Sequence, residues 1–445
     1  MSVGNPESPL PTGWKWRPLT DVARLETGHT PSRRHSEYWG GAVPWIGIRD
    51  ATGNHGRTIY ETAQYTNELG IRNSSARILP ANTVCLSRTA SVGYVVVMGV
   101  PMATSQDFVN WVCGPDLDYR YLKYVLLGER SSFLRFASGT THQTIYFPEV
   151  KAFHVALPPR DIQRGVADIL GMLDDRINLL RQTNTTLESI AQALFKSWFI
   201  DFDPVRAKQA GREPEGMDAA TAALFPAEFE ESALGLIPKG WSVGELGQAA
   251  DCVGGGTPST KEAAYWEPPV HSWATPKDLS GLGSPVLCAT ERRLSDAGLK
   301  KVSSGILPPG TLLMSSRAPI GYLAISKIPV AVNQGFIAMR PGGLLPPIYL
   351  YFWCQANMDA IKQKANGSTF MEISKAAFRP IPLVLPPPEV VARFAEVGGA
   401  LFERVAANEQ QRTGLTDLRD TLLPRLISGK LRLPEARKQL EDALA

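Results

Sequence analysis

The chain has little of what marks several common protein classes. Its 445 residues include five cysteines that are scattered and form no Cys-x-x-Cys pair, so reduced thiols are expected rather than disulfides or a zinc site. No apolar run approaches the ~18 residues that cross a membrane. Residues 1–11 are polar and show no secretory pattern. The sequence therefore predicts a cytoplasmic protein without a membrane segment.

Catalytic and cofactor-binding motifs are missing as well. The sequence contains no Gly-x-x-x-x-Gly-Lys-Ser/Thr phosphate loop and no Gly-x-Gly-x-x-Gly after a strand. It also lacks the Asn-Pro-Pro-aromatic run found in adenine methyltransferases. Its six histidines have no partners at metal-ligand spacing. We expect no metal, no cofactor and no catalytic residues.

One set of charged residues leaves an enzymatic alternative open. Asp116, followed by Glu149 and Lys151, resembles the carboxylate and lysine set of a nuclease. The two acids are far apart in the sequence, and the second half of the chain has Lys375 without matching acids. A metal-dependent nuclease is therefore kept as the alternative to a protein without catalysis.

Charge is unevenly distributed along the chain, although its net value is only +3. Residues 1–158 carry 15 basic and 12 acidic side chains, and residues 238–386 carry 14 and 9. Residues 159–237, in contrast, carry 8 and 13, and residues 387–445 carry 9 of each. These modest differences favour a polyanionic partner for the two basic regions rather than for the segments between them.

What is present is a repeat typical of coiled coils, carried by residues 161–199. Apolar positions recur every three or four residues, close to the 3.5-residue period of a coiled-coil seam. The seam positions are Ile162, Val166, Ile169, Leu173, Ile177, Leu180, Asn184, Leu187, Ala191, Leu194 and Trp198. A helix of this length extends about 60 Å at ~1.5 Å per residue, and it needs a partner to cover its apolar stripe.

The partner lies in the same chain, at a constant offset of 228 residues. The same spacing of seam positions recurs at Val390, Phe394, Val397, Leu401, Val405, Asn408, Arg412, Leu415, Arg419, Leu422 and Leu426. Asn184 in one seam, and Asn408 and Arg412 in the other, are polar residues of the kind that fix register and orientation. We predict that the two helices pair antiparallel and that Pro424 bends or frays the end of the second.

The repeat extends into the regions that precede the helices. Matching segments at offsets of 227–229 are Pro11-Thr-Gly-Trp14 with Pro238-Lys-Gly-Trp241, Gly28-His-Thr-Pro-Ser32 with Gly255-Gly-Thr-Pro-Ser259, Tyr38-Trp39 with Tyr265-Trp266, Trp45 with Trp273, Asp50 with Asp278, Ser87-Arg88 with Ser316-Arg317, Gly93-Tyr94 with Gly321-Tyr322, Gln106-Asp-Phe108 with Gln334-Gly-Phe336, Gly139-Thr-Thr141 with Gly367-Ser-Thr369, and Leu157-Pro-Pro159 with Leu385-Pro-Pro387. The chain is therefore predicted to be two copies of one unit.

The expected fold is α+β: two similar mixed α/β domains, each followed by a long helix, with the helices forming an antiparallel coiled coil. The predicted segments are domain 1 at 10–158, helix 1 at 159–200, a linker at 201–237, domain 2 at 238–386, helix 2 at 387–429 and a charged tail at 430–445. Each domain is predicted to hold a hairpin (83–97; 311–326), a helix (119–135; 348–365) and a final short strand (155–157; 381–385).

Side chains suited to reading DNA lie in predicted turns of both domains. Arginine and lysine bond phosphates or guanine edges, glutamine bonds adenine edges, and serine and threonine bond phosphate oxygens. The candidates are Arg33, Arg34, Arg49, Arg88, Thr140, Thr141 and Gln143 in domain 1, and Lys261, Lys277, Arg317, Gln334, Ser368 and Thr369 in domain 2. For each of the other arginines, lysines and glutamines, a solvated surface residue without a DNA contact is the alternative, and for Arg88 and Arg317 the alternative is a structural salt bridge.

Three segments resemble the specificity subunit of Type I restriction–modification systems. They are Leu194-Phe-Lys-Ser-Trp-Phe-Ile-Asp-Phe-Asp-Pro204, Ile237-Pro-Lys-Gly-Trp241 and Leu423-Pro-Arg-Leu-Ile-Ser-Gly-Lys430, and the similarity covers nearly the whole chain. The resemblance implies two target-recognition domains, each of which reads one half of a split, asymmetric site in double-stranded DNA. It implies no residue contacts, because domains of this family differ widely in which residues touch bases.

The same resemblance implies protein partners. The long helices of the family dock two adenine methyltransferase (modification) subunits and, through them, restriction subunits that translocate and cut DNA. A chain of this kind supplies specificity and no catalysis. A scaffold that does not bind DNA remains a third alternative.

Overall fold

The computed structural model describes residues 9–137, 143–367 and 371–444. The chain divides into two compact units. One contains the residues up to Ile177 together with those from Gly414 onward, and the other contains Asn178–Thr413. Both boundaries fall inside long helices, so each unit combines one sheet domain with part of each helix.

The first domain alternates short strands and helices and ends in the first long helix. Its strands are β1 (Lys15–Pro18), β2 (Ala23–Thr27), β3 (Trp39–Ile46), β4 (Thr58–Ile59), β5 (Gln64–Thr66), β6 (Val84–Ser87), β7 (Val95–Met98), β8 (Ala103–Thr104), β9 (Phe108–Cys113) and β10 (His154–Leu157). Its helices are α1 (Leu19–Val22), α2 (Ile48–Gly53), α3 (Glu68–Arg72), α4 (Tyr119–Gly128), α5 (Arg130–Phe136) and α6 (Phe147–Lys151), followed by the long α7 (Arg160–Phe199).

The second half of the chain repeats this order after a connecting segment. The connection holds α8 (Asp203–Gln209), α9 (Ala219–Ala223), β11 (Phe229–Ser232) and β12 (Gly235–Pro238). The second domain holds β13 (Ser242–Glu245), α10 (Leu246–Ala249), β14 (Asp251–Gly254), β15 (His271–Ala274), α11 (Pro276–Ser280), β16 (Val286–Leu287), β17 (Arg292–Leu294), α12 (Asp296–Leu299), β18 (Leu312–Ser315), β19 (Leu323–Ser326), β20 (Ala331–Val332), β21 (Phe336–Arg340), α13 (Pro347–Ala356), α14 (Met358–Gln363), α15 (Lys375–Phe378) and β22 (Pro382–Leu385). The chain closes with the long α16 (Pro388–Ile427) and with α17 (Leu433–Leu444).

Both domains have the same sheet topology. The first has a five-stranded sheet in the order β2-β9-β6-β7-β4, a three-stranded sheet β5-β3-β8 and a pair β1-β10. The second has β14-β21-β18-β19-β16, β17-β15-β20 and β13-β22, in which each strand is the counterpart twelve strands later. The predicted duplication and the α+β fold are confirmed at the level of strand order, which a sequence offset alone does not fix.

The predicted elements are present, with two helices interrupted. The predicted hairpins are formed by β6 with β7 and by β18 with β19. The single helix predicted at 119–135 is instead α4 and α5, which meet at Glu129, where ψ is 10°. The helix predicted at 348–365 breaks at Asn357, whose backbone and side-chain amides both donate to the carbonyl of Trp353. Glycine before Glu129, and asparagine at 357, favour helix ends.

The connecting segment is more ordered than the linker predicted for residues 201–237. Phe202 and Phe225 are buried in the hydrophobic core of the second unit together with Trp198 and Trp241. The ring centroids of Trp198 and Phe225 lie 5.2 Å apart. The segment was predicted to be a linker because it is rich in alanine, glutamate and proline. The contacts of its aromatic residues instead hold it against the core of the second unit.

The predicted charged tail contains α17, with Ala436 and Leu440 buried. The first residue of α17, Leu433, packs against Gly165 of α7, where an added Cβ atom would lie 2.5 Å from the leucine Cδ1. The apolar spacing 433, 436, 440 follows a helical period, and the charged residues between these positions obscured it.

The five cysteines are free thiols, as predicted. Burial raises the pKa of Cys252 to about 11 and that of Cys113 to about 12, so these two thiols are protonated at neutral pH. Among the described residues, no helix is long and apolar enough to span a membrane.

The two long helices run antiparallel in the second unit and are in contact in the first. In the second unit the Nδ2 of Asn408 donates to the Oδ1 of Asn184 at 2.8 Å, and the rings of Phe195 and Phe394 lie 5.6 Å apart. Residue numbers thus rise along α7 as they fall along α16. In the first unit Arg419 bonds Asp174 at 3.1 Å. The antiparallel pairing predicted from the heptads is confirmed.

The seam departs from the predicted positions at several places, two of which lie against the second domain. Phe195 and Phe402 are buried, whereas the predicted seam residues Leu194 and Leu401 are half-buried. Both phenylalanines pack on Phe352 of the second domain. Contact with the domain therefore shifts the buried position in this part of each helix by one residue from the position that the heptad repeat predicts.

Asn184 and Asn408 are buried in the seam of the second unit, where Asn184 also donates to Glu409 at 3.3 Å. We expect Asn184→Leu to lower the free energy of unfolding by about 1–3 kcal/mol, because it leaves the Asn408 amide without its acceptor. The double variant with Asn408→Leu should lose less than the sum of the single variants. Chemical denaturation measures this, with exposed Ala407→Leu as the matched control. Strictly additive losses would contradict the pairing.

Candidate nucleic-acid interface

The Gly-x-Thr-Pro-Ser loops are anchored in the same way in both domains. Trp45 and Trp273 each donate their indole N–H to the carbonyl of the second loop residue, at 3.1 Å in both cases. An added Cβ at Gly28 would lie 1.9 Å from the carbonyl oxygen of Ser105, and one at Gly255 would lie 1.8 Å from that of Val332. Glycine is required because each loop starts in close contact with a neighbouring strand segment.

A second tryptophan completes each anchor. Trp39 and Trp266 donate to the carbonyl of the last loop residue, at 3.4 and 3.1 Å. Trp39 lies edge-on to Trp45, and Trp266 lies edge-on to Trp273, with ring centroids 5.2 Å apart in both pairs. The two pairs are therefore equivalent aromatic platforms beside equivalent loops.

Each loop threonine is tied to a glutamine of the same domain. The hydroxyl of Thr30 donates to the side-chain carbonyl of Gln106, and that of Thr257 donates to that of Gln334. Gln334 was a predicted DNA-binding residue, and the structure uses its oxygen to hold the loop. Its amide remains the group available to an external partner.

Arg33, another predicted residue, lies over the first tryptophan platform. Its guanidinium carbon is 3.7 Å from the ring centroid of Trp39 and 5.0 Å from that of Trp45. One guanidinium nitrogen donates to the side-chain oxygen of Gln64 at 2.7 Å. The side chain is exposed, yet these contacts orient it.

Arg292 occupies the same place in the second domain and was missed by sequence reasoning. Its guanidinium carbon lies 3.5 Å from the ring centroid of Trp266 and 5.4 Å from that of Trp273. The available signal was its offset of 228 residues from Gln64, but glutamine and arginine do not match as residue types. Cross-strand pairing, which places Arg292 opposite Trp273, becomes visible only in the fold.

The match of Ser87-Arg88 with Ser316-Arg317 is wrong by one residue. The hydroxyls of Ser87 and Ser315, not Ser316, each accept the backbone N–H of the tyrosine that ends the turn, at 2.8 Å. The backbone of Arg317 forms an isolated antiparallel β-bridge with that of Glu372, as the backbone of Thr89 does with that of Thr144 in the first domain. Arg88 and Arg317 are therefore not equivalent. A one-residue shift along an extended chain puts their side chains on opposite faces.

The surroundings of these two arginines differ accordingly. The guanidinium carbon of Arg88 lies 4.7 Å from the ring centroid of Phe147. Burial lowers the pKa of Arg88, and nearby Asp107 opposes that effect. Arg317 pairs with Glu372 at 3.6 Å, which is the salt bridge considered as the alternative to a DNA contact.

The remaining basic candidates differ in how free their charges are. Arg34, Arg49 and Lys261 are exposed, and within the described part of the chain their charged groups have no hydrogen-bond or ion-pair partner. Lys277 pairs with Glu291 at 2.8 Å, and a hydrogen bond from its ammonium to this carboxylate raises the pKa of Lys277. The first three therefore offer the less encumbered phosphate contacts.

Gln143 is exposed at the end of a gap in the described chain. The predicted residues Thr140 and Thr141, and likewise Ser368 and Thr369, lie outside the described residues.

The set proposed for the nuclease alternative shows no sign of a metal centre. Asp116 and Glu149 are exposed, and the backbone carbonyl of Asp116 accepts the side-chain amide of Gln163 in α7. Across residues 9–137, 143–367 and 371–444, no group of three His, Cys, Asp or Glu side chains could hold a metal ion.

Chemically, the interface offers oriented guanidinium groups and free cationic side chains around a rigid loop in each domain. Guanidinium groups form paired hydrogen bonds to phosphate oxygens, and lysine contributes a point charge. The arrangement suits a polyanion with a regular backbone.

Comparison with known proteins gives a consistent result. The family model of the Type I restriction modification DNA specificity domain matches residues 11–189 and 238–397. The Type I restriction enzyme MjaIX specificity subunit of Methanocaldococcus jannaschii is 25% identical over 434 residues, which cover 96% of this chain and 95% of that protein. The HindI specificity subunit of Haemophilus influenzae is 30% identical over 335 residues, which cover 66% of this chain and 72% of that protein.

The fold is also similar to a solved structure. The S subunit of a Type I restriction–modification system from M. genitalium superposes with a TM-score of 0.59 at 15% sequence identity, covering 95% of this chain and 98% of that one. This similarity supports the fold and its duplicated plan.

Proposed function

Because the chain belongs to the family defined by the Type I restriction modification DNA specificity domain, we propose that it supplies sequence recognition to a Type I restriction–modification complex and performs no catalysis itself. The observation that carries the proposal is the repeated domain. Two sheet domains share one strand order and one loop anchor, and they present different exposed side chains. Such a chain reads two different half-sites with one architecture.

Each domain contacts one half of an asymmetric, bipartite DNA site. Phosphate contacts set the position of the duplex, and base-edge contacts set the sequence. The proposed contact residues are those predicted from the sequence: Arg33, Arg34, Arg49, Arg88, Thr140, Thr141 and Gln143 for one half, and Lys261, Lys277, Arg317, Gln334, Ser368 and Thr369 for the other. The unpaired charges of Arg34, Arg49 and Lys261 make these three side chains candidates for phosphate contacts.

The complex forms in the cytoplasm with two methyltransferase subunits and, through them, restriction subunits. A docking surface for the methyltransferase is supported by Leu179 and Ile190 of α7, which are both 51% exposed. A step of 11 residues at about 100° per residue keeps the two side chains within about 20° of one helix face. Exposed apolar stripes of this kind mark protein interfaces.

We expect Leu179→Asp and Ile190→Asp together to weaken binding of the methyltransferase subunit by at least tenfold, because a buried unpaired carboxylate is costly at an apolar interface. Stability of the isolated chain should change by less than about 0.5 kcal/mol per substitution, since both positions are exposed. Co-purification and calorimetry measure the loss. Leu344→Asp, also at an exposed leucine, is the control and should bind normally. Unchanged binding of the double variant would exclude this face.

DNA binding by the chain with its methyltransferase tests the proposed function. We expect binding to weaken steeply between 50 and 200 mM salt, as counterion release predicts for several phosphate contacts, by about 10³-fold or more. Negligible affinity at low salt would favour the scaffold alternative. Cleavage of plasmid by the purified chain with Mg²⁺, abolished by Glu149→Ala, would favour the nuclease.

A further inference from the structure

Both tryptophan platforms hold a guanidinium at nearly the same distance, 3.7 Å for Arg33 over Trp39 and 3.5 Å for Arg292 over Trp266. In each domain the second tryptophan is within 5.0–5.4 Å of the same guanidinium. The position of the positive charge relative to the loop is therefore repeated in the two domains.

The arginine reaches this position from different places in the chain. Arg33 follows the Gly-x-Thr-Pro-Ser loop, and Thr260 stands at the corresponding place in the second domain. Arg292 starts β17, directly opposite Trp273, and Gln64 stands at the corresponding place in β5, opposite Trp45. Common descent of the two domains would repeat the residue at one position. Here the arginines stand at different sequence positions, but their guanidinium groups lie at the same place over the equivalent tryptophans.

Gln64 links the two arrangements. Its side-chain oxygen accepts a hydrogen bond from Arg33 at 2.7 Å. The strand position that carries the guanidinium in the second domain thus holds the guanidinium in place in the first. If Arg33 only covered the indole rings, its hydrogen bond to Gln64 would not be needed.

The two guanidiniums are also free to bind an anion. Both side chains are exposed, and neither has an ion-pair partner among the described residues. Stacking on an indole uses the flat face of the guanidinium and leaves much of its N–H edge available. A planar, oriented N–H edge forms two parallel hydrogen bonds with a phosphate and loses little conformational entropy on binding.

We propose that Arg33 and Arg292 are equivalent phosphate clamps, one per domain, that bind the DNA backbone beside the Gly-x-Thr-Pro-Ser loops. The inference rests on the proposed function and adds to it a residue, Arg292, that the sequence did not indicate. It also gives the tryptophan pairs a role, since they orient the clamp. Phosphates carry no base identity, so the clamps contribute affinity and not sequence preference.

The test measures DNA binding by the complex of this chain with its methyltransferase across a range of salt concentrations. Arg33→Ala and Arg292→Ala should each lower the magnitude of the slope of log K against log salt by about 1, the value for one lost phosphate contact. The methylated motif should stay unchanged. Arg293→Ala is the control, because its side chain leaves the same strand on the opposite face, and its slope should equal that of the wild type.

Relocation provides a second, independent measurement. Adding Gln64→Arg to Arg33→Ala moves the arginine of domain 1 to the strand position that domain 2 uses. We expect this double variant to recover the wild-type slope. Thermal denaturation of each variant identifies any loss caused by unfolding, and Arg33→Lys, which keeps the charge without the planar fork, should recover only part of the affinity.

Failure of the clamp and failure of the proposed function give different results. If the wild-type complex binds DNA with a steep salt dependence and neither folded arginine variant changes the slope, the clamp is wrong and the proposed function stands. If the wild-type complex does not bind DNA, the proposed function fails, and the clamp with it.

Discussion

Exchanging residues 10–158 for the corresponding domain of another family member is expected to change one half of the recognised sequence completely and to leave the other half unchanged. The fold allows this exchange because the first and last strands of the domain pair with each other, with Lys15 opposite Leu157. The two ends of the inserted domain therefore lie side by side at the base of the domain, and its own sheets remain intact. Methylated adenines, mapped after co-expression with the methyltransferase, report both halves.

The reciprocal exchange of residues 238–386 is the matched control. Ser242 pairs with Leu385 at the base of the second domain, so we expect this exchange to change the opposite half only. An exchange that altered both halves, or that retained the original half-site, would show that the domains do not read independently.

Phe394→Ala should cause the largest loss of stability among the single substitutions considered. Phe394 is fully buried in the second unit, and its ring lies within 5.2–6.3 Å of five aromatic neighbours from α7 and α13: Phe195, Trp198, Phe199, Tyr349 and Phe352. Truncation leaves a cavity that rigid rings cannot close. We expect the free energy of unfolding to fall by about 3–5 kcal/mol.

Chemical denaturation of the unit containing Phe394 measures this loss. Phe394→Leu should lose clearly less, because it refills part of the cavity, and Leu344→Ala, at a residue that is 69% exposed, should change stability by less than about 0.5 kcal/mol. A loss below about 1 kcal/mol for Phe394→Ala would contradict the view that this aromatic cluster joins the helices to the domain.

The features predicted correctly from sequence are those encoded by local period or by repetition. The heptads of α7 and α16 predicted a pair of long helices, and Asn184 and Asn408 marked polar residues in the middle of its seam. The repeated tryptophans and glycines predicted the duplication. Each signal involves residues whose spacing along the chain fixes their face in the element, so no knowledge of the tertiary fold was needed.

The misplaced features depend on contacts between distant segments. Phe195 takes the buried position in place of Leu194 because the aromatic residues of the second domain pack there. Arg88 and Arg317 were matched by their shared dipeptide, whereas cross-strand hydrogen bonds set the true register. A displacement of one residue is invisible in a sequence comparison that tolerates offsets of 227–229, yet it reverses the face of the strand.

Arg292 illustrates the same limit for function. Alignment by residue type pairs arginine with arginine, but the two platforms conserve the place of a charge and not the residue that supplies it. Only the cross-strand partners, Trp45 with Gln64 and Trp273 with Arg292, reveal the correspondence.

The most direct test of the account is a map of methylated adenines in DNA exposed to this chain together with the methyltransferase subunit of its own system. The account predicts one asymmetric motif made of two short defined segments with a constant number of unspecified bases between them. A continuous motif, or methylation that is unchanged when this chain is omitted, would contradict it.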